Sequence, residues 1–131
     1  MKKNFIHLHL HSEYSISDSL IRIKDLIKES SDNNHPAVAI TDLNNIFSLV
    51  KFYKEAIKNG VKPIVGIEID LLNQDSKNGS SKVILLCKNM KGFHNLSNLI
   101  TDAYVNLGED NKFYVSKSEL ANKSDGLIAL S

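Results

Sequence analysis

The chain has 131 residues, of which 42% are hydrophobic, so it can bury one ordinary core. Its 16 basic and 15 acidic residues are mixed along the chain, and the formal net charge of +1 gives no indication of a nucleic-acid-binding surface. No apolar run approaches the roughly 20 residues of a membrane span, and the single cysteine, Cys87, fits a reduced thiol. We therefore expect one soluble, cytoplasmic domain over residues 1–131 that makes no membrane contact.

The first strand and helix are predicted from hydrophobic periodicity. Apolar residues and histidines alternate over residues 5–10, which predicts a strand with its histidines on one face. Those histidines are His7, His9 and His11. Residues 17–19 are suitable N-caps for a helix that ends in the polar cluster at 30–34.

A second strand and helix follow. The continuous apolar run at 36–41 predicts a buried strand. Asn44 or Asn45 can cap the next helix, and Gly60 supplies its left-handed end. The predicted apolar positions of this helix are Phe47, Val50, Tyr53, Ala56 and Ile57.

The rest of the chain continues the alternation. Strands are predicted at 62–69, 82–87 and 126–131, and a loop at 73–81. A third helix is predicted at 93–107, and Ser116 with Glu119 forms a capping box for a short fourth helix. The strand and helix order indicates an α/β fold with parallel strands, either an open doubly wound sheet or a βα barrel. A barrel needs about 250 residues, so the barrel alternative requires further sequence after Ser131. The apolar strand predicted at the end of the chain also suggests that the sequence continues, because no helix follows to cover that strand.

Several candidate site residues follow the predicted strands. His9 and His11 end the first strand, and Asp18 lies just beyond it. Asp42 follows the second strand, and Glu68 lies near the end of the third. Because the carboxyl ends of parallel strands share one edge, these side chains are expected to meet there.

Imidazoles at i and i+2 on a strand point the same way and can share one ion. Mixed imidazole and carboxylate ligands suit zinc, manganese or iron, and two such ions could activate water for phosphoester hydrolysis. The alternative is that the histidines are solvated groups at a strand end. His35 and His94 are expected to be structural or exposed, Asp42 is either a helix cap or a site residue, and Asp70 shares the alternation of Glu68.

Three stretches resemble, in order and spacing, the first motifs of the PHP (polymerase and histidinol phosphatase) superfamily. They are 9–12 (His-Leu-His-Ser), 39–42 (Ala-Ile-Thr-Asp) and 62–68 (Lys-Pro-Ile-Val-Gly-Ile-Glu). The stretches at 5–20, 49–53, 85–104 and 126–131 look like the PHP domains of bacterial DNA polymerase III alpha subunits. The resemblance covers essentially the whole chain.

This resemblance implies a distorted, seven-stranded, TIM-like βα barrel of the PHP type, of which the chain is a truncated N-terminal portion. It assigns metal-ligand positions to His9, His11, Asp18 and Glu68. His7 and Asp42 are then supporting or capping residues rather than ligands.

Two residues depart from the ligand pattern. Leu43 stands where the family has histidine after Thr-Asp, and Lys82 replaces a histidine before the Leu-Leu run. An ammonium group at a metal site repels cations. A degenerate site that holds at most one divalent ion (zinc, manganese or magnesium) is therefore expected.

The resemblance also implies a function. The parent protein is expected to be a magnesium-dependent DNA-directed DNA polymerase, a nucleotidyltransferase of chromosome replication, whereas this fragment is expected to be inactive. The domain is expected to have a structural role and to bind the polymerase core of the same chain, a proofreading exonuclease and other replicase subunits. Primer-template DNA is expected to bind to the parent protein. The alternatives are a metal-dependent phosphoesterase or 3′–5′ exonuclease, and a stand-alone binding module. Self-association of the truncated fragment through its open strand edge is a further expectation.

Overall fold

The structure is a computed structural model that describes residues 5–15, 17–72 and 79–131. The chain forms two compact units, Met1–Ile67 and Glu68–Ser131, and the boundary between them falls inside one strand. Both units contain helices and strands, which confirms the predicted α/β class. The seven-stranded barrel remains a prediction.

The first unit contains two helices and two paired strands. They are α1 (Ile23–Asp32), β1 (Ala37–Ile40), α2 (Leu49–Lys58) and the first part of β2 (Lys62–Leu72). β1 and β2 run parallel, with Ala37 opposite Lys62 and Ile40 opposite Val65. All four residues of β1 are buried, as the apolar run at 36–41 predicts.

The core of the first unit lies between β1 and the two helices. It consists of Ile23, Ile27, Val38, Ile40, Phe52, Ala56 and Val61, with Leu10, Tyr14 and Leu26 packed against it. Burying each large aliphatic or aromatic side chain stabilises the fold by about 1.5–3 kcal/mol. This core therefore holds β1, and with it the residues that follow β1, in place.

Three local predictions for the first unit are wrong. Residues 5–10 form no regular strand. α1 starts after Arg22 and not at residues 17–19, because the Ser19 hydroxyl accepts from the Ile21 amide in a local turn (3.1 Å) before the helix. α2 is preceded by Ser48 and not by Asn44 or Asn45.

The buried face of α2 also differs from the prediction. Phe52 and Ala56 are completely buried, whereas Val50 is 64% exposed. Phe47, Tyr53 and Ile57 are exposed as well. Gly60, with a φ of 71°, ends the segment in the left-handed conformation, as predicted.

The second unit contains the remaining elements. They are the end of β2, β3 (Ser80–Cys87), α3 (Met90–Val105), β4 (Val115–Ser116), α4 (Lys117–Asn122) and β5 (Leu127–Leu130). The predicted strands at 62–69 and 82–87, the third helix and the capping box of α4 are present. Residues 73–78 of the predicted loop lie outside the described residues, and Ser80 and Ser81 belong to β3.

Strand direction in the second unit departs from the all-parallel prediction. β4, which was not predicted, pairs parallel with β2, but β5 pairs antiparallel with β3, with Cys87 opposite Leu127. The turn into β5 depends on Gly126, which has a φ of 79° and lies against Gly92 of α3. A Cβ atom on Gly92 would lie 1.9 Å from the Gly126 carbonyl oxygen, so only glycine fits there.

The single cysteine is reduced and lies in β3. Burial raises the pKa of the Cys87 thiol to about 11, so the thiol is protonated at neutral pH. Among the described residues, no helix combines the length and apolar character needed to cross a membrane.

Candidate metal centre

The segment that carries the predicted ligands runs beside β1. The Ala39 amide donates to the His7 carbonyl (2.9 Å), and the Thr41 amide donates to the Leu10 carbonyl (2.8 Å). The Thr41 hydroxyl bonds the Leu10 backbone on both sides: it accepts from the amide at 2.9 Å and donates to the carbonyl at 3.1 Å. These bonds fix the backbone around His9 at the end of β1, although the segment lacks regular strand geometry.

A buried carboxylate fixes the next few residues. Asp42 is 1% exposed and follows β1. It accepts hydrogen bonds from the Ser12 amide (2.6 Å), the Ser12 hydroxyl (2.8 and 2.9 Å), the Ser15 hydroxyl (2.9 Å) and the Ser48 hydroxyl (2.6 Å). Because a buried carboxylate is costly without such donors, these bonds tie the loop after His11 to β1 and to the start of α2.

Asp42 does not cap α2 through neighbouring backbone amides, which was one of its two predicted roles. Its contact with that helix is the hydroxyl of Ser48, the residue that precedes the helix. The Asn45 side chain instead accepts from the Phe47 amide (3.1 Å), in a turn before the helix starts. Asp42 therefore positions the loop that carries the histidines.

Three of the predicted ligands come together. His9, His11 and Glu68 each present one ligand atom, and these atoms all lie within 4.8 Å of one another. The His9 and His11 rings have centroids 5.2 Å apart and stand edge to face at 79°. Glu68 lies in β2 and is 5% exposed, whereas His9 is exposed and His11 half-buried. A buried carboxylate beside two accessible imidazoles is a mixed donor set.

This donor set fits a divalent transition-metal ion. Bonds of about 2.1 Å place the ligand atoms of one ion roughly 3.4 Å apart in a tetrahedral site, so a closure of about an ångström brings all three into range. Imidazole nitrogens and a carboxylate oxygen are ligands that zinc, iron and manganese accept. The cluster could therefore hold an ion through three protein ligands and leave further coordination positions to water or substrate.

Asp18 and His7, the other two predicted site residues near this loop, lie outside the cluster of His9, His11 and Glu68. Asp18 is exposed and belongs to no group of three or more metal-ligating side chains within the described ranges; its amide donates to the Ser15 carbonyl (2.7 Å). The His7 ring lies against His35, with centroids 5.7 Å apart. The three alternating histidines are thus divided between two pairs, and a ligand role for Asp18 remains a prediction.

Leu43 and Lys82 are the two residues that depart from the ligand pattern. Leu43 is half-buried, and its amide donates to the Ser15 hydroxyl (3.0 Å). Lys82 is exposed on β3, and Asp70 is half-buried on β2. An alkyl chain and an ammonium group offer no lone pair to a metal ion at neutral pH.

Sequence reasoning did not single out Ser15 or Ser48, and it assigned no function to Ser12. Hydroxyl residues are common in polar loops, so they give little signal on their own. The one available signal is an acidic residue directly after a fully apolar strand, since a buried carboxylate requires donors from neighbouring segments.

Alternating strands and helices with an imidazole and carboxylate cluster define an α/β domain with a candidate metal centre. Residues 7–131 match the PHP domain family. The chain belongs to that family.

Curated relatives extend the match over the whole chain. DNA polymerase III subunit alpha of Pseudomonas fluorescens is 42% identical over 131 residues, and that of Pseudomonas aeruginosa is 40% identical. DNA polymerase III subunit alpha of Buchnera aphidicola is 41% identical over 97% of the chain. The chain spans 11% of the length of each of these relatives.

Solved structures with a similar fold are more distant in sequence. An amidohydrolase from Chromobacterium violaceum has a TM-score of 0.58 at 18% identity, over 76% of this chain and 33% of that one. A proposed metal-dependent phosphoesterase from Bifidobacterium adolescentis has a TM-score of 0.54 at 17% identity, over 78% of this chain and 33% of that one. At these identities the likeness concerns the fold.

Proposed function

We propose that this chain is the N-terminal part of the PHP domain of a cytoplasmic DNA polymerase III alpha subunit, which adds nucleotides to a primer during chromosome replication. The observation that carries the proposal is the 42% identity to such a subunit over the full length of the chain. Because the chain spans 11% of that relative, the magnesium-dependent nucleotidyl transfer belongs to other parts of the longer protein.

The role of the domain itself is structural and partner docking. Leu43 and Lys82 stand where the resemblance expects two further ligands, so the centre is degenerate. The partners are the polymerase core of the same chain, a proofreading exonuclease and other replicase subunits, with primer-template DNA bound by the parent protein.

The remaining ligands hold at most one divalent ion. His9, His11 and Glu68 would bind it, and the hydrogen bonds of Asp42 keep the histidine segment in place. A bound ion would supply Lewis-acid polarisation of a phosphate oxygen. The buried carboxylate of Glu68 would offset part of the charge of the ion.

The test is a comparison of two activities in the full-length protein. Wild type and a His9→Ala/His11→Ala double variant are assayed for primer extension with Mg²⁺ and for 3′–5′ exonuclease activity with Zn²⁺ or Mn²⁺. We expect primer extension in both and no exonuclease activity that depends on the two histidines. His94→Ala, on the exposed surface of α3, is the matched control. Metal-dependent exonuclease activity that disappears in the double variant but not in the control would contradict the structural role.

A second candidate function is metal-dependent phosphoester hydrolysis by the domain. It is favoured by the convergence of His9, His11 and Glu68, and by the shared fold with a proposed metal-dependent phosphoesterase. Histidinol phosphate and p-nitrophenyl phosphate are the probes, with Mn²⁺ or Zn²⁺ present. Hydrolysis by wild type that is lost in Glu68→Gln would establish this candidate, and no hydrolysis would exclude it for these substrates.

A further inference from the structure

A second pair of histidines lies outside the candidate metal centre. The His7 and His35 rings have centroids 5.7 Å apart and are inclined at 56°. The Phe5 ring stands edge-on to His7 at 4.6 Å and lies 6.4 Å from His35. Two imidazoles are therefore grouped beside an aromatic side chain within the first unit.

Backbone hydrogen bonds anchor both members of the pair. The His7 carbonyl accepts from the Ala39 amide of β1 (2.9 Å). The His35 amide donates to the Ser30 carbonyl near the end of α1 (2.8 Å). Since neither residue depends on the other for its backbone position, the proximity of the rings is built into the fold.

One ring nitrogen of this pair is buried without a hydrogen-bond partner among the described residues. His35 Nδ1 is fully buried and has no hydrogen-bond partner among the residues that the structure describes. Buried polar atoms are almost always satisfied, because burial without a partner costs the hydration that the atom had in the unfolded chain. An imidazole nitrogen that carries no proton has a lone pair and can bind a metal ion.

The separation of the rings suits a shared ion. A zinc–nitrogen bond of about 2.0–2.1 Å places the ion roughly 3.2 Å from the ring centre, so two rings on one ion have centroids about 5–6 Å apart. The 5.7 Å between His7 and His35 lies in this range, as does the 5.2 Å between His9 and His11.

We propose that His7 and His35 form a second metal site that binds Zn²⁺ or a similar transition-metal ion, with water in the remaining positions. Both protein ligands are imidazoles, so the site prefers Zn²⁺ over Mn²⁺ and Mg²⁺, which favour oxygen. The ion links the segment at 5–10 to the loop before β1, and the two ligands lie 28 residues apart in the chain. The site is independent of the function proposed above.

The test is zinc titration of the full 131-residue chain by isothermal calorimetry. Wild type is expected to bind two ions, and His35→Gln only one. His9→Gln also retains one ion, which is then lost when His35→Gln is added. His94→Gln, an exposed histidine on α3, is the matched control and retains two. His7→Gln repeats the loss independently, and far-ultraviolet circular dichroism without metal verifies that each variant is folded.

The outcomes separate this site from the candidate metal centre. One ion in wild type that is lost in His35→Gln and His7→Gln, but not in His9→Gln, supports the second site and counts against the first. Zinc binding that is unchanged in both His7→Gln and His35→Gln overturns the proposal. So does an equal loss in His94→Gln, because that result means nonspecific surface binding, and so does the absence of any zinc binding.

Discussion

Asp42, which follows β1, and Glu68, which lies in β2, are two buried carboxylates whose surroundings differ. Asp42 is 1% exposed and receives its hydrogen bonds from serine hydroxyls and one backbone amide. Glu68 is 5% exposed and lies beside the imidazoles of His9 and His11.

The difference shows that the neighbours of a buried acid determine its role more than its place on the strand does. Neutral hydroxyl donors satisfy a carboxylate and fix the segments that carry them, so Asp42 acts on the positions of other residues. Imidazole nitrogens can share a cation with a carboxylate, so Glu68 is placed to bind an ion.

Replacing Asp42 with alanine should have the largest effect on stability. Four donors from Ser12, Ser15 and Ser48 lose their acceptor in a buried site, and we expect unfolding to become easier by about 3 kcal/mol or more. Urea denaturation in EDTA measures this loss without any contribution from metal.

Asp32→Ala is the control for that measurement. Asp32 is exposed and pairs with Lys28 at 2.7 Å, one helical turn away, so its loss should change the stability very little. If Asp42→Ala destabilised the chain no more than Asp32→Ala, the Asp42 network would not hold the histidine loop.

Replacing Glu68 with glutamine should chiefly change metal affinity. The variant keeps the size of the side chain but loses the negative charge that attracts an ion, so we expect Mn²⁺ to bind about tenfold to a hundredfold more weakly. The measurement is the increase in melting temperature at rising Mn²⁺ concentration. Mn²⁺ is the ion used because it prefers a site with a carboxylate oxygen to a pair of imidazoles.

Glu29→Gln serves as the comparison, because Glu29 is exposed on α1 and accepts from the Asn33 side chain (3.0 Å). It should leave the response to Mn²⁺ unchanged. An equal response in Glu68→Gln and wild type would mean that Glu68 does not bind the ion.

The sequence was sufficient to predict the proximity of His9, His11 and Glu68. Alternation places two histidines on the same side of their segment, which is local geometry, and the carboxyl ends of parallel strands share one edge, which follows from the order of strands and helices. The same alternation grouped His7 with them, but the structure pairs His7 with His35. That contact joins residues far apart in the chain, and no local pattern encodes it.

Helix faces and strand direction were harder to predict. α2 carries two apolar stripes, one with Phe52 and Ala56 and another with Val50 and Tyr53, and only packing against α1 and β1 determines which is buried. The order of strands and helices also does not determine the direction of β5, because the turn at Gly126 allows it to pair antiparallel with β3.

The smallest predicted effect concerns a third carboxylate, Glu119, which is exposed. The Ser116 hydroxyl (2.6 Å) and amide (2.9 Å) donate to it in the capping box of α4 and hold the pKa of Glu119 below its usual range. Ser116→Ala should destabilise the chain by about 0.5–1 kcal/mol at pH 7. Thermal unfolding at several pH values measures the effect, with Ser80→Ala, at the exposed start of β3, as the control.

The pH dependence of this effect distinguishes the hydrogen bonds that Ser116 donates to the Glu119 carboxylate from the one that its hydroxyl accepts from the Glu119 amide. The pKa of Glu119 is lower in the folded state than in the unfolded chain, so its contribution is present above the unfolded value, about 4.5, and is lost as the pH falls through the folded value. The difference between wild type and Ser116→Ala should therefore shrink in acid. A difference that stays constant from pH 7 to pH 3 would show that the Ser116 hydroxyl stabilises α4 by accepting from a backbone amide, and that the charge of Glu119 does not contribute. An exposed carboxylate would then add little stability through its hydrogen bonds, unlike the buried Asp42.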